Sequence, residues 1–415
     1  MHKPLFLRYN GLALSFTECA KAAHTQTEGC TMKKALIALA VVIIIFAGWF
    51  VMKPASGPSA DADTIKIGVY LPITGGNAVG GGLELDGVKL AYEEQKEVLG
   101  KKIELVVVDN KSDKVEAANA VKRLISKEKV NAIVGTYGSS LAMAGGDVAE
   151  KNGIPMVGTS CTNPMVTQGK KYSFRVAFID PFQGAGASQY ALDELKAKTA
   201  ACLIEVTTDY SVGLASFFED HFTKNGGKIV AKLNYQSGDQ DFTAQLTEII
   251  SKNPDVLYIP ANFAEAAIIM RQARELGAKF EILGGDATDN PEIVKIAGKA
   301  CEGYSFTTFA YAPEMPEMNE TQKAFTESWK KLYKDKLPNA LAACGYDAYS
   351  IIIDAIKRAG SAEPEKIQEA LAKTVDFPGV TGKTTINATH DAEKSIGIMR
   401  IVNGERKFYK VVDPK

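Results

Sequence analysis

From Thr64 onward the chain alternates short apolar runs with amphipathic stretches of roughly 10–15 residues, the signature of repeated βαβ units around a parallel sheet. The apolar runs are "IKIGVYLP", "KIELVVVDN", "VNAIVGTYG" and "IPMVGT", then "AACLIEV", "KIVAKLNY", "DVLYIPA" and "EILGGD". Between them, "LELDGVKLAYEEQKEV" sets Leu83, Val88, Leu90 and Ala91 at near-helical spacing, and "KVEAANAVKRLISKE" places Ala117, Val121, Leu124 and Ile125 on one face. "SLAMAGGDVAEKN", "SVGLASFFEDHF", "DFTAQLTEIISK" and "AEAAIIMRQARELG" read as further helices. "NETQKAFTESWKKLYKD", "GYDAYSIIIDAIKRAG" and "PEKIQEALAK" are helical too. The chain closes in hairpin-like β pieces, "TGKTTIN", "SIGIMRIVNG" and "RKFYKVVDP". The sequence therefore predicts two α/β units in tandem with a mixed tail.

Strands of such sheets are expected to bind ligands beyond their carboxyl ends, at the point where strand order reverses. Two strand ends are chemically marked. "IVGTYGSS" ends in Gly138, Ser139 and Ser140 where a helix begins, and "VGTSCTNP" ends in Ser160 and Thr162. Small residues let a ligand approach the main chain, and N–H groups and hydroxyls at a helix start favour an anion such as a carboxylate. Ordinary turn and cap chemistry uses the same residue types. In the second unit "EILGGDATDNP" ends in Gly284, Gly285 and Asp286. Asp286 is either an acceptor for an ammonium group or an N-cap for the next helix.

Other motifs carry less. "GVTGKTT" resembles a phosphate loop but has Phe377 at the required first glycine and precedes β pieces. "VGGGLELDG" resembles a dinucleotide loop without a well-placed acidic partner. Cys161 has no histidine near in sequence to act as its base, and no G-x-S-x-G elbow is present. His221 and His390 lie in stretches that read as surface, without metal partners at helical spacing. Asn387-Ala388-Thr389 fits a glycosylation acceptor, relevant only on a eukaryotic secretory route.

The 415 residues, with net charge −1, allow two or three domains and argue against a nucleic-acid footprint. Lys33-Lys34 precede the uncharged run Ala35–Met52, which is either an export signal or a membrane anchor; the lysines favour a cytoplasmic N-terminus, with everything after "KPASGPSADAD" outside. Met32 makes a natural start, which leaves residues 1–31 a doubtful leader. Cys161, Cys202, Cys301 and Cys344 are widely spread, without metal spacing. They read as small buried residues, with one disulfide as the alternative in an exported chain.

Residues Ile65 to Pro414 resemble the extracytoplasmic substrate-binding proteins of branched-chain-amino-acid-type ABC importers, of the periplasmic-binding-protein type I fold. The resemblance is carried by "IKIGVYLPITGGNAVGGGLELDGVKLAYEE", "IVGTYGSSLAMAGGDVAEKNGIPMVGTSCTNP", "DVLYIPANFAEAAIIMRQARELG", "EILGGD" and "FPGVTGKTTIN". It implies two Rossmann-like, doubly wound α/β lobes joined by a hinge, preceded by the hydrophobic N-terminal segment. The implied layout is residues 1–31 as leader, 32–62 as signal or anchor plus linker, 63–180 with 308–385 as the N-terminal lobe, and 181–307 with 386–415 as the C-terminal lobe. It further implies that the Ser139 hydroxyl binds a ligand carboxylate. Ser160 contacts carboxylate and ammonium through its backbone, and Thr162 touches both ends. Tyr210 closes over the ligand, and Asp286 takes the ammonium where relatives usually carry glutamate. Asn262 stands where leucine-type binders have tyrosine, Gly80 replaces an aromatic, and Gly138 occupies one position of a cysteine pair. The implied role is capture of a small amino acid and delivery to an ABC permease, as a monomer, with no catalysis, cofactor or metal. A ligand-binding sensor subunit is the alternative, as is transport of an amide, a urea-like compound or an aromatic acid.

Overall fold

The computed structural model describes residues 64–334 and 336–412, so the expectations for Met32 and for the Ala35–Met52 segment lie outside the described residues. The first sheet comprises β1 (Thr64–Leu71), β2 (Glu97–Val98), β3 (Lys101–Asp109), β4 (Ala132–Val134), β5 (Met156–Gly158) and β6 (Ser173–Arg175), in the spatial order β2-β3-β1-β4-β5-β6. Strand β1 is central, parallel to both β3 and β4, with Ile67 opposite Leu105 on one side and Ala132 on the other. Ile65, Ile67, Val69, Tyr70 and Leu71 are all buried, because a parallel strand is covered on both faces. That double covering is why its sequence is a continuous apolar run. Helices α1 (Ala78–Glu94), α2 (Lys114–Arg123) and α3 (Ser139–Lys151) pack on this sheet. Asp113 caps α2, accepting from the N–H groups of Val115 (2.8 Å) and Glu116 (2.9 Å).

The chain crosses after β6 through α4 (Asp180–Asp193) into the second unit. There β7 (Thr199–Glu205), β8 (Lys228–Tyr235), β9 (Val256–Ile259), β10 (Glu281–Gly284) and β11 (Ser305–Phe309) run parallel in the order β11-β10-β9-β7-β8. Their helices are α5 (Asp209–Lys224), α6 (Thr243–Lys252), α7 (Phe263–Glu275) and α8 (Glu292–Ala297). After β11 come α9 (Glu320–Tyr333), α10 (Ala340–Ala359) and α11 (Pro364–Leu371). The short strands β12 (Phe377–Gly379), β13 (Gly382–Ile386) and β14 (Ala392–Glu393) form a separate small sheet. The hairpin of β15 (Ile396–Val402) and β16 (Glu405–Val412) then adds antiparallel to β11. Both large sheets reverse their strand order, between β1 and β4 in the first and between β7 and β9 in the second. Strand β11 runs through the 307/308 position at which the sequence divided the lobes.

Helix α10 returns to the first sheet's side by packing on α1 at a close crossing. A methyl group on Gly87 would sit 1.8 Å from the Ala342 carbonyl oxygen, and one on Gly345 would sit 2.1 Å from the Glu84 carbonyl oxygen. Only glycine fits backbone against backbone at that distance.

Two buried charged groups fix the segments between the sheets. The Arg175 guanidinium, fully buried, donates to the Cys161 carbonyl (2.9 Å) and the Thr167 hydroxyl (2.8 Å) and pairs with Asp391 (2.8 Å). It ties the loop after β5 to the chain segment before β15. Asp347 on α10 accepts from the N–H groups of Val380 (2.7 Å) and Thr381 (2.9 Å) and from the Thr381 hydroxyl (2.5 Å). The "GVTGKTT" stretch is thus a β-hairpin turn whose Val380 and Thr381 N–H groups are held by a carboxylate rather than arranged around an anion.

Candidate functional site

The strand ends expected to carry the site face one another across a cleft of about 170 Å³. Ser139, Ser160, Tyr210, Asn262 and Asp286 all line it. From the first lobe come the ends of β4 and β5. Gly138, at φ 91°, makes the turn from β4 into α3 that places Ser139 at the helix start. The Ser139 hydroxyl oxygen accepts from the backbone N–H of Thr162 (3.2 Å) and of Asn163 (3.1 Å). It locks the two strand ends together, and its own proton remains for an acceptor in the cleft.

Thr162 does not line the cleft. It is fully buried, and its hydroxyl faces the Asp180 carboxyl. Its carbonyl accepts from the backbone N–H of Asp180 (2.9 Å), at the start of α4. Burial pushes the Asp180 carboxyl up to about 8, with the nearby Thr162 hydroxyl pulling the other way.

Ser160 rests on Glu84, which the sequence reading passed over. Glu84 is fully buried in α1 and takes the Ser160 hydroxyl on Oε1 and the Thr159 hydroxyl on Oε2 (2.5 Å). Burial pushes its carboxyl up to about 8, although the two hydroxyls oppose this.

The second lobe supplies Asp286. It is the first residue of a single 3₁₀ turn, Asp286–Thr288, whose N-cap is Gly285 rather than Asp286 itself. Its Oδ1 instead accepts from Gln183 Nε2 (2.7 Å) and from the Tyr210 hydroxyl (2.9 Å). No hydrogen bond reaches Oδ2 among the described residues, and the residue borders the cleft. Burial pushes this carboxyl up to about 6, with the Gln183 and Tyr210 hydrogen bonds pulling the other way. Gln183 is the second residue that the sequence reading missed. It is buried on α4 and also donates to Thr307 (2.8 Å).

The cleft is closed in this structure. The Tyr137 hydroxyl donates across it to Asn262 Oδ1 (2.8 Å). The Ser140 hydroxyl donates to Asp209 Oδ2 (2.7 Å), and Asn163 Nδ2 donates to the Asp209 carbonyl (2.9 Å). Lys114 pairs with the same carboxylate at 3.3 Å. Asp209, at the start of α5, is therefore the main latch between the lobes, and its role was not legible beforehand. Gly80 explains how Tyr137 reaches the partner lobe: a methyl there would lie 2.6 Å from the Tyr137 ring.

The remaining candidates resolve plainly. Cys161, Cys202, Cys301 and Cys344 are free and buried, so the disulfide alternative is not realised among them. Cys161 packs with Ala142 and Val166, and burial pushes its thiol up to about 11, unlike a nucleophile. His221 and His390 are half-buried rather than surface residues: His221 meets Ser188 (3.0 Å), and His390 stacks on Phe174 with centroids 4.2 Å apart.

Two parallel-sheet lobes with a polar cleft between their carboxyl ends define a two-lobed solute-binding protein. The chain belongs to the periplasmic binding protein family, whose pattern it matches over residues 64–406. It is 31% identical over 326 residues to the leucine-, isoleucine-, valine-, threonine- and alanine-binding protein of Pseudomonas aeruginosa, covering 77% of this chain and 85% of that one. The crystal structure of a leucine binding protein, LivK, from Thermotoga maritima is similar at TM-score 0.82 and 46% identity, covering 84% of this chain and 99% of that one. The branched-chain amino acid transporter substrate-binding protein LivJ of Streptococcus pneumoniae, solved with isoleucine, is similar at TM-score 0.79 and 34% identity, over 85% and 100% of the two chains.

Proposed function

We propose that this protein captures a small α-amino acid between its lobes outside the cytoplasm and delivers it to an ABC importer permease. The observation that carries this reading is the unequal use of the Asp286 oxygens. One is held by Gln183 and Tyr210, and the other has no protein hydrogen bond at the cleft wall. Opposite it, Ser139 keeps a free hydroxyl proton at a helix start. A zwitterion needs this pairing: an acceptor for its ammonium on one lobe and donors for its carboxylate on the other. The related proteins named above for amino-acid binding support the same ligand class. Closure of two lobes over the ligand is the motion such a site uses. In this reading the role is capture and delivery of the ligand rather than its turnover.

The test is calorimetry of the purified protein, freed of bound ligand by unfolding and refolding, against the twenty amino acids, urea, short amides and benzoate-type acids. Heat from one or a few amino acids supports the reading. Heat only from an amide or an aromatic acid contradicts its ligand class.

A further inference from the structure

Beside Ser139 and Asp286, one stretch of the cleft lining is Tyr137, Gly138, Asn77 and Asn262, with Asn77 beside Gly138 and Asn262 against the Tyr137 hydroxyl. A ligand side chain that reaches this stretch meets two carboxamides and a phenol hydroxyl beside the Tyr137 ring, where aliphatic binding calls for apolar groups alone. Leu141 is the one aliphatic residue beyond alanine size on the cleft wall.

The two asparagines are not spent on the fold. Asn262 accepts from Tyr137 on Oδ1 (2.8 Å), which fixes the amide plane, and no hydrogen bond uses its Nδ2 among the described residues. Asn77 precedes α1, yet its side chain makes no capping hydrogen bond. Its amide stands beside the helix start of α3: a methyl on Gly138 would lie 3.8 Å from Asn77 Nδ2. Lys114, also at the wall, is paired with Asp209, so this stretch offers neutral donors and acceptors rather than a free charge.

We infer that the site selects an α-amino acid whose side chain ends in a neutral hydrogen-bonding group, a hydroxyl or a carboxamide, over one with an aliphatic side chain. The inference rests on the amino-acid reading above and narrows it. An aliphatic side chain entering here strips water from both amides and returns no hydrogen bond, which leaves buried polar groups unpaired. A side-chain hydroxyl or amide replaces that water. Sites built around such hydrogen bonds discriminate against analogues that lack them far more sharply than apolar pockets discriminate by size.

The experiment is parallel calorimetric titration of the ligand-free protein with threonine, serine, asparagine and glutamine, and with leucine, isoleucine and valine. At least one polar ligand is expected to bind roughly tenfold or more tightly than the best aliphatic one. Asn262→Leu is expected to shift the ratio of polar to aliphatic affinity toward the aliphatic by at least about tenfold. Because both affinities are read on one sample, the ratio does not depend on the fraction folded. Asn77→Leu, which removes no hydrogen bond of the fold, is expected to shift the ratio in the same direction. An aliphatic amino acid binding as tightly as the best polar one overturns the inference and leaves the amino-acid reading standing, as do unchanged ratios in both variants. Absence of binding by every amino acid overturns the amino-acid reading itself, and the inference with it.

Discussion

Asp286→Ala weakens binding of the amino-acid ligand by roughly 30- to 5000-fold, because truncating one member of a buried, hydrogen-bonded charge pair costs about 2–5 kcal/mol. Its carboxyl is 2% exposed, and its Oδ1 is fixed by Gln183 and Tyr210, so it does not rearrange to follow a displaced ligand. The variant leaves the Gln183 amide and Tyr210 hydroxyl without their shared acceptor, which adds a stability loss. Asp286→Asn separates the two effects. It keeps a side-chain oxygen for those donors and removes the charge, and its binding loss is expected to approach that of the alanine variant. Calorimetry on the three proteins, with thermal melts alongside, checks this. Wild-type affinity in Asp286→Asn contradicts an ammonium at that position.

The second large effect is a two-sided pH profile. Ligand ammonium binds the ionised form of Asp286, whose carboxyl in the closed, ligand-free cleft is pushed up to about 6 by burial. Below that value the protein must lose a proton to bind, so affinity falls by about tenfold per pH unit. On the alkaline side the group that matters is Glu84, beneath Ser160, pushed up to about 8 by burial. Once it ionises, a negative charge lies under the carboxylate shelf and affinity falls again. Asp180 is buried nearby and also pushed up to about 8, and its ionisation acts in the same alkaline limb. Titrations between about pH 4.5 and 9 in buffers of different ionisation heat read both the affinity and the protons exchanged. Proton release on binding is expected near pH 6. In Glu84→Gln the alkaline fall is reduced while the acid limb stays. A flat profile across the acid range contradicts an ionisable acceptor in the site.

The central parallel strands were legible because burial on both faces makes each a continuous apolar run, as in β1 and β9, where Val256–Ile259 are all buried. The strand ends were legible too, since a run that breaks into Gly, Ser and Thr has nothing to pack there. Helix α4 was not. Its sequence "DPFQGAGASQYALD" buries Asp180, Gln183, Gly184, Gly186 and Ser188, so neither polarity nor period marks a helix. Strands β6 and β11 failed for the same reason: "SFR" and "SFTTF" are wholly buried while mixing polar and apolar residues. Missing α4 meant missing Gln183, which holds Asp286.

Glu84 was readable in principle. It stands four residues before Val88 and seven before Ala91, on the stripe that α1 buries, and a carboxyl on such a stripe needs a partner. Leu83, which the spacing suggested instead, is only half-buried. Asp209 had no sequence signal beyond a helix start, because its partners Ser140, Asn163 and Lys114 come from the other lobe. Contacts between lobes depend on how two units meet, and no local pattern encodes that.

The most direct measurement is a crystal structure of the protein with its amino acid bound. The ligand nitrogen is expected within hydrogen-bonding distance of Asp286 Oδ2, and its carboxylate against the Ser139 hydroxyl at the start of α3. A ligand bound with its carboxylate toward the second lobe, or with nothing but water facing Asp286 Oδ2, would contradict the zwitterion site on which the proposed function stands.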